Sequence, residues 1–253
     1  MPTPFFHFKQ FTVWHDQCAM KVGTDGVLLG ALAQVKDSTQ TILDIGSGSG
    51  LVALMLAQRC ESATITAIDI DEGAFRQTLF NFSASPWSLR LTAAQSSVQE
   101  FSNNNKNSFD LIVSNPPFFT DSLKNPDIAR STARHNDSLS INELLFHASL
   151  LINKTGRIVM ILPVSDKKMC VKCAENYGLY CCTSVVIFPK PGASAKRVVL
   201  TFSKNNSPKK NSELTIETDI RGVYTDEFEL TIETDIRGVY TDEFTALVRN
   251  YYL

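Results

Sequence analysis

The sequence predicts an α/β fold, a mostly parallel sheet with helices on both faces. Three observations carry this. Short β-rich apolar runs alternate with helix-length stretches along the chain. A glycine-rich turn, Gly46-Ser47-Gly48-Ser49-Gly50, stands directly between one such run and a helical stretch. Chemistry then follows in order at strand ends: Asp69 closes the next run, and Asn115-Pro116-Pro117-Phe118 closes the one two further on. With 253 residues, 43% of them hydrophobic and 20% charged, the chain has the size and balance of one globular domain. A second domain is not required.

Residues 1–34 precede the sheet and include an opening helix over Asp25–Ala33. The core, 41–203, holds seven expected strands: Thr41–Ile45, Thr64–Asp69, Leu89–Ala93, Phe109–Ser114, Gly156–Leu162, Tyr180–Phe188 and Lys196–Ser203. Helices are expected between them, over Leu51–Arg59, Asp71–Ser83, Ile141–Leu151 and Asp166–Tyr177. The last two strands are joined by Pro189-Lys190-Pro191-Gly192-Ala193. That link is too short for a crossover helix, so the last strand runs antiparallel to its neighbours. From Phe118 to Leu139 the chain has no periodicity, and a loop of this length beside a chemistry-bearing strand is expected to close over a substrate.

Residues 204–253 form a C-terminal extension with an unusual feature: Glu213 to Phe228 is repeated letter for letter as Glu229 to Phe244. Two identical copies do not make a solenoid, which needs more, diverged units. A tandem duplication is the plainer reading. Either copy could supply the strand Leu-Thr-Ile-Glu-Thr and the helix entry Thr-Asp-Glu-Phe. Only the second copy runs on into Thr245–Leu253, so the second is expected to pack and the first to loop out or compete for the same site.

The net charge of −2 conceals a basic protein. Without one copy of the repeat the chain would carry 23 Lys/Arg against 21 Asp/Glu. Between Val186 and Ser212 stand Lys190, Lys196, Arg197, Lys204, Lys209 and Lys210 with no acid, and Arg130, Arg134 and His135 form a second cluster. Both suit a polyanionic partner. Lys209-Lys210 alone reads as a solvated run. The Phe5, Phe6, Phe8, Phe11 and Trp14 side chains read as packing residues, and His147 as a packed helix residue. Six cysteines include Cys170-x-x-Cys173 and Cys181-Cys182, but no histidine lies near and strand neighbours point to opposite faces. Free thiols are expected, with no metal. The N-terminus has no secretory pattern and no apolar run is long enough to span a bilayer, so a cytoplasmic protein is expected.

The strand-end residues carry the chemistry. Glycines at 46, 48 and 50 let backbone approach a ligand closely, with N–H groups expected to point at it. Asp69 stands where a carboxylate accepts ribose hydroxyls, with a helix cap as its bland alternative. The third strand ends near Ser96-Ser97 with no acid or amide, so Ser97 would offer only a hydroxyl or backbone. An exocyclic amine on an aromatic base is a poor nucleophile, because its lone pair is delocalised. The Asn115 side-chain oxygen and the Pro116 carbonyl can each accept one of its N–H bonds. Pro116-Pro117 fixes the aim of these acceptors, and Phe118 can stack on an extruded base. These residues read as a nucleotide-derived cofactor site facing an amine to be alkylated.

Seven strands with the last antiparallel, the glycine turn, Asp69 and Asn-Pro-Pro-Phe together resemble the Rossmann-like class I S-adenosylmethionine-dependent methyltransferases. Members with Asn-Pro-Pro-Phe/Tyr act on adenine N6, guanine N2 or a protein glutamine amide. Three further stretches narrow the resemblance: Phe8-Lys9-Gln10-Phe11 followed by Met20-Lys21-Val22-Gly23-Thr24-Asp25-Gly26, then Ala133-Arg134-His135, then Lys190-Pro191 with Lys196-Arg197. Over nearly the whole chain the sequence is similar to the bacterial tRNA1(Val) (adenine-37-N6)-methyltransferase family. The resemblance implies S-adenosylmethionine as cofactor and, in a valine tRNA as partner, methylation of the adenine next to the anticodon; a monomer is expected. It implies that residues 1–34 cover the cofactor. Lys21, Thr24 and Asp25 would lie at its methionine end, above Asp44 and the glycines, with Asp69, Ile70, Ser97 and Asn115 completing the site. Arg130, Arg134, His135, Lys190, Lys196 and Arg197 would meet RNA. The duplicated 16-mer departs from the family pattern.

Overall fold

The computed structural model describes residues 3–117, 139–218 and 240–252. The chain begins with a small antiparallel pair, β1 (Phe5–His7) and β2 (Thr12–Trp14), in the register Phe5↔Trp14. Helix α1 (Thr24–Leu32) leads to β3 (Thr41–Ile45), α2 (Leu51–Arg59), β4 (Thr64–Asp69) and α3 (Glu72–Ser83). Then come β5 (Leu91–Gln95), α4 (Val98–Asn104), β6 (Phe109–Ser114), α5 (Ile141–Leu151) and β7 (Ile152–Pro163). The chain continues through α6 (Lys167–Glu175), β8 (Tyr180–Phe188), β9 (Arg197–Ser203), β10 (Lys210–Thr215) and α7 (Asp242–Val248).

Among the described residues the main sheet has eight strands, in the order β10-β8-β9-β7-β6-β3-β4-β5. Seven were expected; the eighth is β10, at the edge. Only β9 runs antiparallel to its neighbours, β7 and β8. The order reverses between β3 and β6: from β3 the chain builds outward to β4 and β5, then returns to β6 on the other side. The mouths of such switch points, at the carboxyl ends of the strands, are where open α/β sheets bind ligands.

Two cores flank the sheet. One gathers α1, α2, Phe8, Phe11 and Val13 of the N-terminal pair, and the C-terminal Phe244, Val248, Tyr251 and Tyr252. The other is built from α5, α6 and the opposite face of β3, β6 and β7. The aromatic N-terminus thus packs as expected in part, with Phe8 stacked on Phe11 at 4.6 Å. The expected strand at Leu89 begins two residues later. Ser88–Arg90 forms a 3-10 turn whose Arg90 guanidinium donates to the Ala57 and Cys60 carbonyls at the end of α2 and to the Ala63 carbonyl just before β4. That satisfies carbonyls a helix end leaves without partners.

The repeat corrects an expectation. The first copy supplies the strand: Glu213-Leu214-Thr215 end β10, paired in parallel with Val186-Ile187-Phe188 of β8. The second supplies α7, capped by Thr241, whose hydroxyl oxygen accepts from the Phe244 N–H. The two are joined by the Glu217–Tyr240 bridge and by the Thr241 N–H donating to the Ile216 carbonyl at 2.8 Å. The physical reason is continuity: β10 follows directly from β9, and α7 leads directly to the packed Tyr251 and Tyr252. The described part of the repeat therefore draws on both copies, 213–218 from the first and 240–244 from the second. Deleting residues 219–234 restores a single copy and removes no described residue. The connection from 218 to 240 shortens from 21 residues to five, which by loop-closure entropy stabilises the protein by about 1 kcal/mol. Thermal melting of the deletion variant is expected to rise by roughly 2–4 °C. A fall would contradict the composite packing.

Candidate active site

Strand register brings the glycine turn, Asp69 and Asn115 side by side. Ile45 of β3 pairs with Ile68 of β4 on one side and with Ser114 of β6 on the other. The next residues along are Gly46, Asp69 and Asn115, so all three leave the sheet at one level on adjacent strands, about 4.8 Å apart strand to strand. A buried hydrogen bond from the Ser114 hydroxyl to the Ile45 carbonyl, 2.9 Å, ties the ends of β6 and β3 and fixes the exit of the Asn-Pro-Pro segment.

The turn is open where a ligand would need room. Gly46 (φ +71°) and Gly48 (φ +55°) adopt left-handed backbone, and a Cβ on either would meet nothing within 4 Å. Gly50 differs: a Cβ there would stand 2.9 Å from Phe82, so this glycine serves helix packing rather than ligand space. The expectation of N–H groups aimed at a ligand is corrected. The Gly46 and Ser47 N–H groups donate to the Ile68 carbonyl, Gly48 to the Asp69 carboxylate, and Gly50 to the Ser47 carbonyl. The turn is tight enough to use its own donors, and what it presents is space.

Asp69 is half-buried and held from two sides, by the Gly48 N–H at 2.9 Å and the Asp71 N–H at 3.0 Å, one to each oxygen. The helix cap is a different acid, Asp71, which accepts from the Ala74 N–H. Beside Asp69 the Ile70 side chain is 57% exposed. Ser97 uses its hydroxyl oxygen to cap α4, accepting from the Glu100 N–H.

Asp44 lies beneath the turn, fully buried, accepting from the Ala53 N–H at 3.2 Å. Burial pushes its carboxyl up to about 7; the Ala53 N–H opposes that, and the charge of Asp69 adds to it. In the unfolded chain the group titrates near 4. Between about pH 4 and pH 7 the folded state therefore holds a proton the unfolded state has lost, and stability falls as pH rises across that window. Asp44→Asn is expected to flatten this slope in thermal melts of the ligand-free protein from pH 4 to 8. An unchanged slope would contradict the assignment.

The Asn115 side-chain oxygen is buried and has no hydrogen-bond partner among the described residues. An acceptor left so is costly unless something arrives to donate to it. Pro116 behind it is buried and Pro117 exposed. Phe118, Arg130, Arg134 and His135 lie outside the described residues. Lys21 is exposed, just before Gly23 and the start of α1. Thr24 and Asp25 open that helix, and both Asp25 oxygens accept from Arg197 Nε, at 2.9 and 3.0 Å. Arg197, expected at RNA, ties β9 to α1. Its neighbours Lys190 and Lys196 are exposed on the β8–β9 connection, at the same edge of the sheet as Asn115.

Orphaned acceptor, open glycines and a half-buried acid fit a nucleoside cofactor with an amine opposite. No cluster of three or more His, Cys, Asp or Glu side chains arranged to hold a metal occurs among the described residues, whose cysteines are all free. No described helix is long and apolar enough to cross a membrane.

Comparison with known proteins decides the family. Residues 19–161 match the methyltransferase small domain. A tRNA1(Val) (adenine(37)-N6)-methyltransferase of Bacteroides fragilis is 48% identical over 229 residues, 90% of this chain and 95% of its own. One of Parabacteroides distasonis is 42% identical over 254 residues, 100% of this chain and 99% of its own. The chain belongs to the tRNA1(Val) (adenine(37)-N6)-methyltransferase family. Solved structures agree on the fold. A predicted O-methyltransferase, Atu636 of Agrobacterium tumefaciens, superposes with a TM-score of 0.66 at 16% identity, covering 90% of this chain and 96% of that one. TYW2 of Pyrococcus horikoshii, solved in complex with MeSAdo, gives 0.57 at 14% identity, covering 79% and 71%. The Asn115 corner is thus the strand end of a member of this methyltransferase family.

Proposed function

We propose that this protein transfers a methyl group from S-adenosylmethionine to the N6 amino group of adenine 37 in a tRNA1(Val). The observation that carries the reading is the buried Asn115 oxygen, without a partner among the described residues and one strand from two glycines that open on empty space. Family membership supplies the reaction class.

When bound, S-adenosylmethionine supplies a methyl group made electrophilic by a sulfonium. The residues do the rest. Gly46 and Gly48 leave room for the cofactor, and Asp69, steadied by two backbone N–H groups, keeps outward lone pairs for ribose hydroxyls. Lys21, Thr24 and Asp25 flank the methionine end, Ile70 offers an apolar surface to the adenine, and Ser97 a hydroxyl. Across the cleft, Asn115 Oδ1 and the Pro116 carbonyl each accept one N–H of the target amine. This favours the pyramidal geometry in which the nitrogen lone pair faces the methyl. Asparagine is no base, so the proton leaves to solvent after transfer. Catalysis rests on positioning, a contribution of up to roughly 7–11 kcal/mol in favourable cases. Phe118 stacks on the extruded base. Lys190 and Lys196, with Arg130, Arg134 and His135 from the 118–138 stretch, hold RNA phosphates.

The test is transfer of tritium from labelled S-adenosylmethionine to bulk tRNA, with S-adenosylhomocysteine binding followed in parallel by calorimetry. Label in tRNA, suppressed by raised salt, is expected. Cofactor binding with label absent from every RNA would overturn the proposal.

A further inference from the structure

Three polar side chains on α3 are buried outside the site described above: Gln77, Thr78 and Asn81, none more than 1% exposed. Each has its partners. Asn81 Nδ2 donates to the Trp14 carbonyl and to the Ser49 carbonyl, both at 2.8 Å, and its Oδ1 accepts from the Trp14 N–H at 3.0 Å. The amide thus pairs both backbone groups of Trp14, as a neighbouring strand would, and spends its other N–H on the glycine turn. Thr78 Oγ1 donates to the Gly48 carbonyl at 2.9 Å and lies 3.1 Å from Ser47 Oγ. Gln77 Oε1 accepts from the Gln17 N–H at 3.0 Å.

One helix face therefore grips two separate pieces of chain, the 46–50 turn and residues 14–17. The grip is close: a Cβ on Gly73 would stand 2.7 Å from the Gln17 carbonyl oxygen. From there the chain passes Cys18, which lies near enough to Asp69 and Asp71 to feel both carboxylates, and reaches α1 at Thr24. Residues 14–23 so run from α3 to α1 along the mouth of the turn.

We propose that Asn81 is a positioning residue that couples the glycine turn to residues 14–23, so that cofactor binding and the seating of this segment are one event. The proposal rests on the reading of the cleft as the S-adenosylmethionine site. Asn81 is suited to the task because a fully buried, fully paired amide has no alternative partner when either piece moves. Movement of the turn breaks the bond to Ser49, and movement of the segment breaks two bonds to Trp14.

Two variants test it. Asn81→Asp keeps the shape and the acceptor for Trp14 but sets a carboxylate against two carbonyl oxygens. Gln77→Ala releases Gln17 and touches no part of the turn. Both are expected to raise KM for S-adenosylmethionine roughly tenfold while kcat stays within about threefold, the mark of lost binding rather than lost chemistry. The second readout is trypsin cleavage after Lys21, the one Lys or Arg between 14 and 23, followed by mass spectrometry. In the unsubstituted protein, saturating S-adenosylhomocysteine is expected to slow this cut at least fivefold, roughly the size of effect a coupling free energy of this kind produces. In both variants the slowing should vanish at equal occupancy. Ala148→Gly, in the core on the opposite face of the sheet, controls for general destabilisation and should keep both KM and protection. Unchanged KM and full protection in Asn81→Asp would overturn the coupling, and so would their persistence in both variants. Failure of the unsubstituted protein to bind S-adenosylhomocysteine would instead remove the cofactor reading beneath it.

Discussion

Asn115→Ala is expected to lower kcat for tRNA methylation by roughly 10³-fold while S-adenosylhomocysteine affinity stays within about threefold. Loss of one pre-aimed hydrogen-bond donor from an oxyanion hole costs about 10²–10³ in rate, and Asn115 is the counterpart, a pre-aimed acceptor. Here the same side chain also orients the nucleophile, so the effect falls at the upper end. The fold should survive. The Asn115 oxygen bonds to nothing among the described residues, so its removal relieves a buried acceptor rather than breaking a contact, and the melting temperature should hold or rise slightly. Activity lost without stability lost separates a chemical role from a structural one. A variant that melts far lower, or that keeps its activity, would count against the assignment. Asn115→Asp is a useful partner: it retains the acceptor and adds a charge, and should preserve part of the rate if accepting N–H bonds is the whole function.

The second large effect is expected at the turn. Gly46→Leu and Gly48→Leu should each abolish detectable cofactor binding, a loss of at least about 10²-fold, corresponding to roughly 2.7 kcal/mol. Within the protein a Cβ at either position meets nothing. The cost to folding is then confined to the left-handed backbone, about 1–2 kcal/mol for a residue with a side chain. Calorimetric titration with S-adenosylhomocysteine, alongside thermal melts, separates the two terms. Gly50→Leu should behave oppositely, because its neighbours are Phe82 and Thr78. It is expected to damage the fold first. Retained binding in both Gly46→Leu and Gly48→Leu would place the ligand elsewhere.

The sheet was legible because its strands are short apolar runs closed by residues of chemical use. β3, β4 and β8 occupy the expected spans, and β9 differs by one residue. What escaped notice had weaker local signals. Helix α4 is short and mostly polar, with only Val98 and Phe101 on its apolar side. Its one mark is Ser97 followed three residues later by Glu100, the pattern of a capped helix start. β1 and β2 are three residues each, too short for period to speak. β10 is exposed along most of its length and gains its place by pairing with β8 and burying Leu214. Identical copies of the 16-mer offered no local basis for choosing between them. The choice was made by what each copy adjoins.

The candidate site divides along the same line. Asp69 and Asn115 declared themselves by position at strand ends. The Asp25–Arg197 pair joins residues 172 apart, and Asn81 reaches Trp14 across 67. No window along the chain contains such pairs. The use of the turn's own N–H groups was equally hidden, since it depends on how tightly β3 and β4 bring Ile68 and Asp69 beneath the glycines.

The most direct measurement is nucleoside mass spectrometry of unmodified tRNA1(Val) transcript after incubation with the purified protein and deuterium-labelled S-adenosylmethionine. Labelled N6-methyladenosine is predicted, lost when adenine 37 is replaced by guanine. Label found instead in N2-methylguanosine, or N6-methyladenosine that persists without adenine 37, would contradict the account.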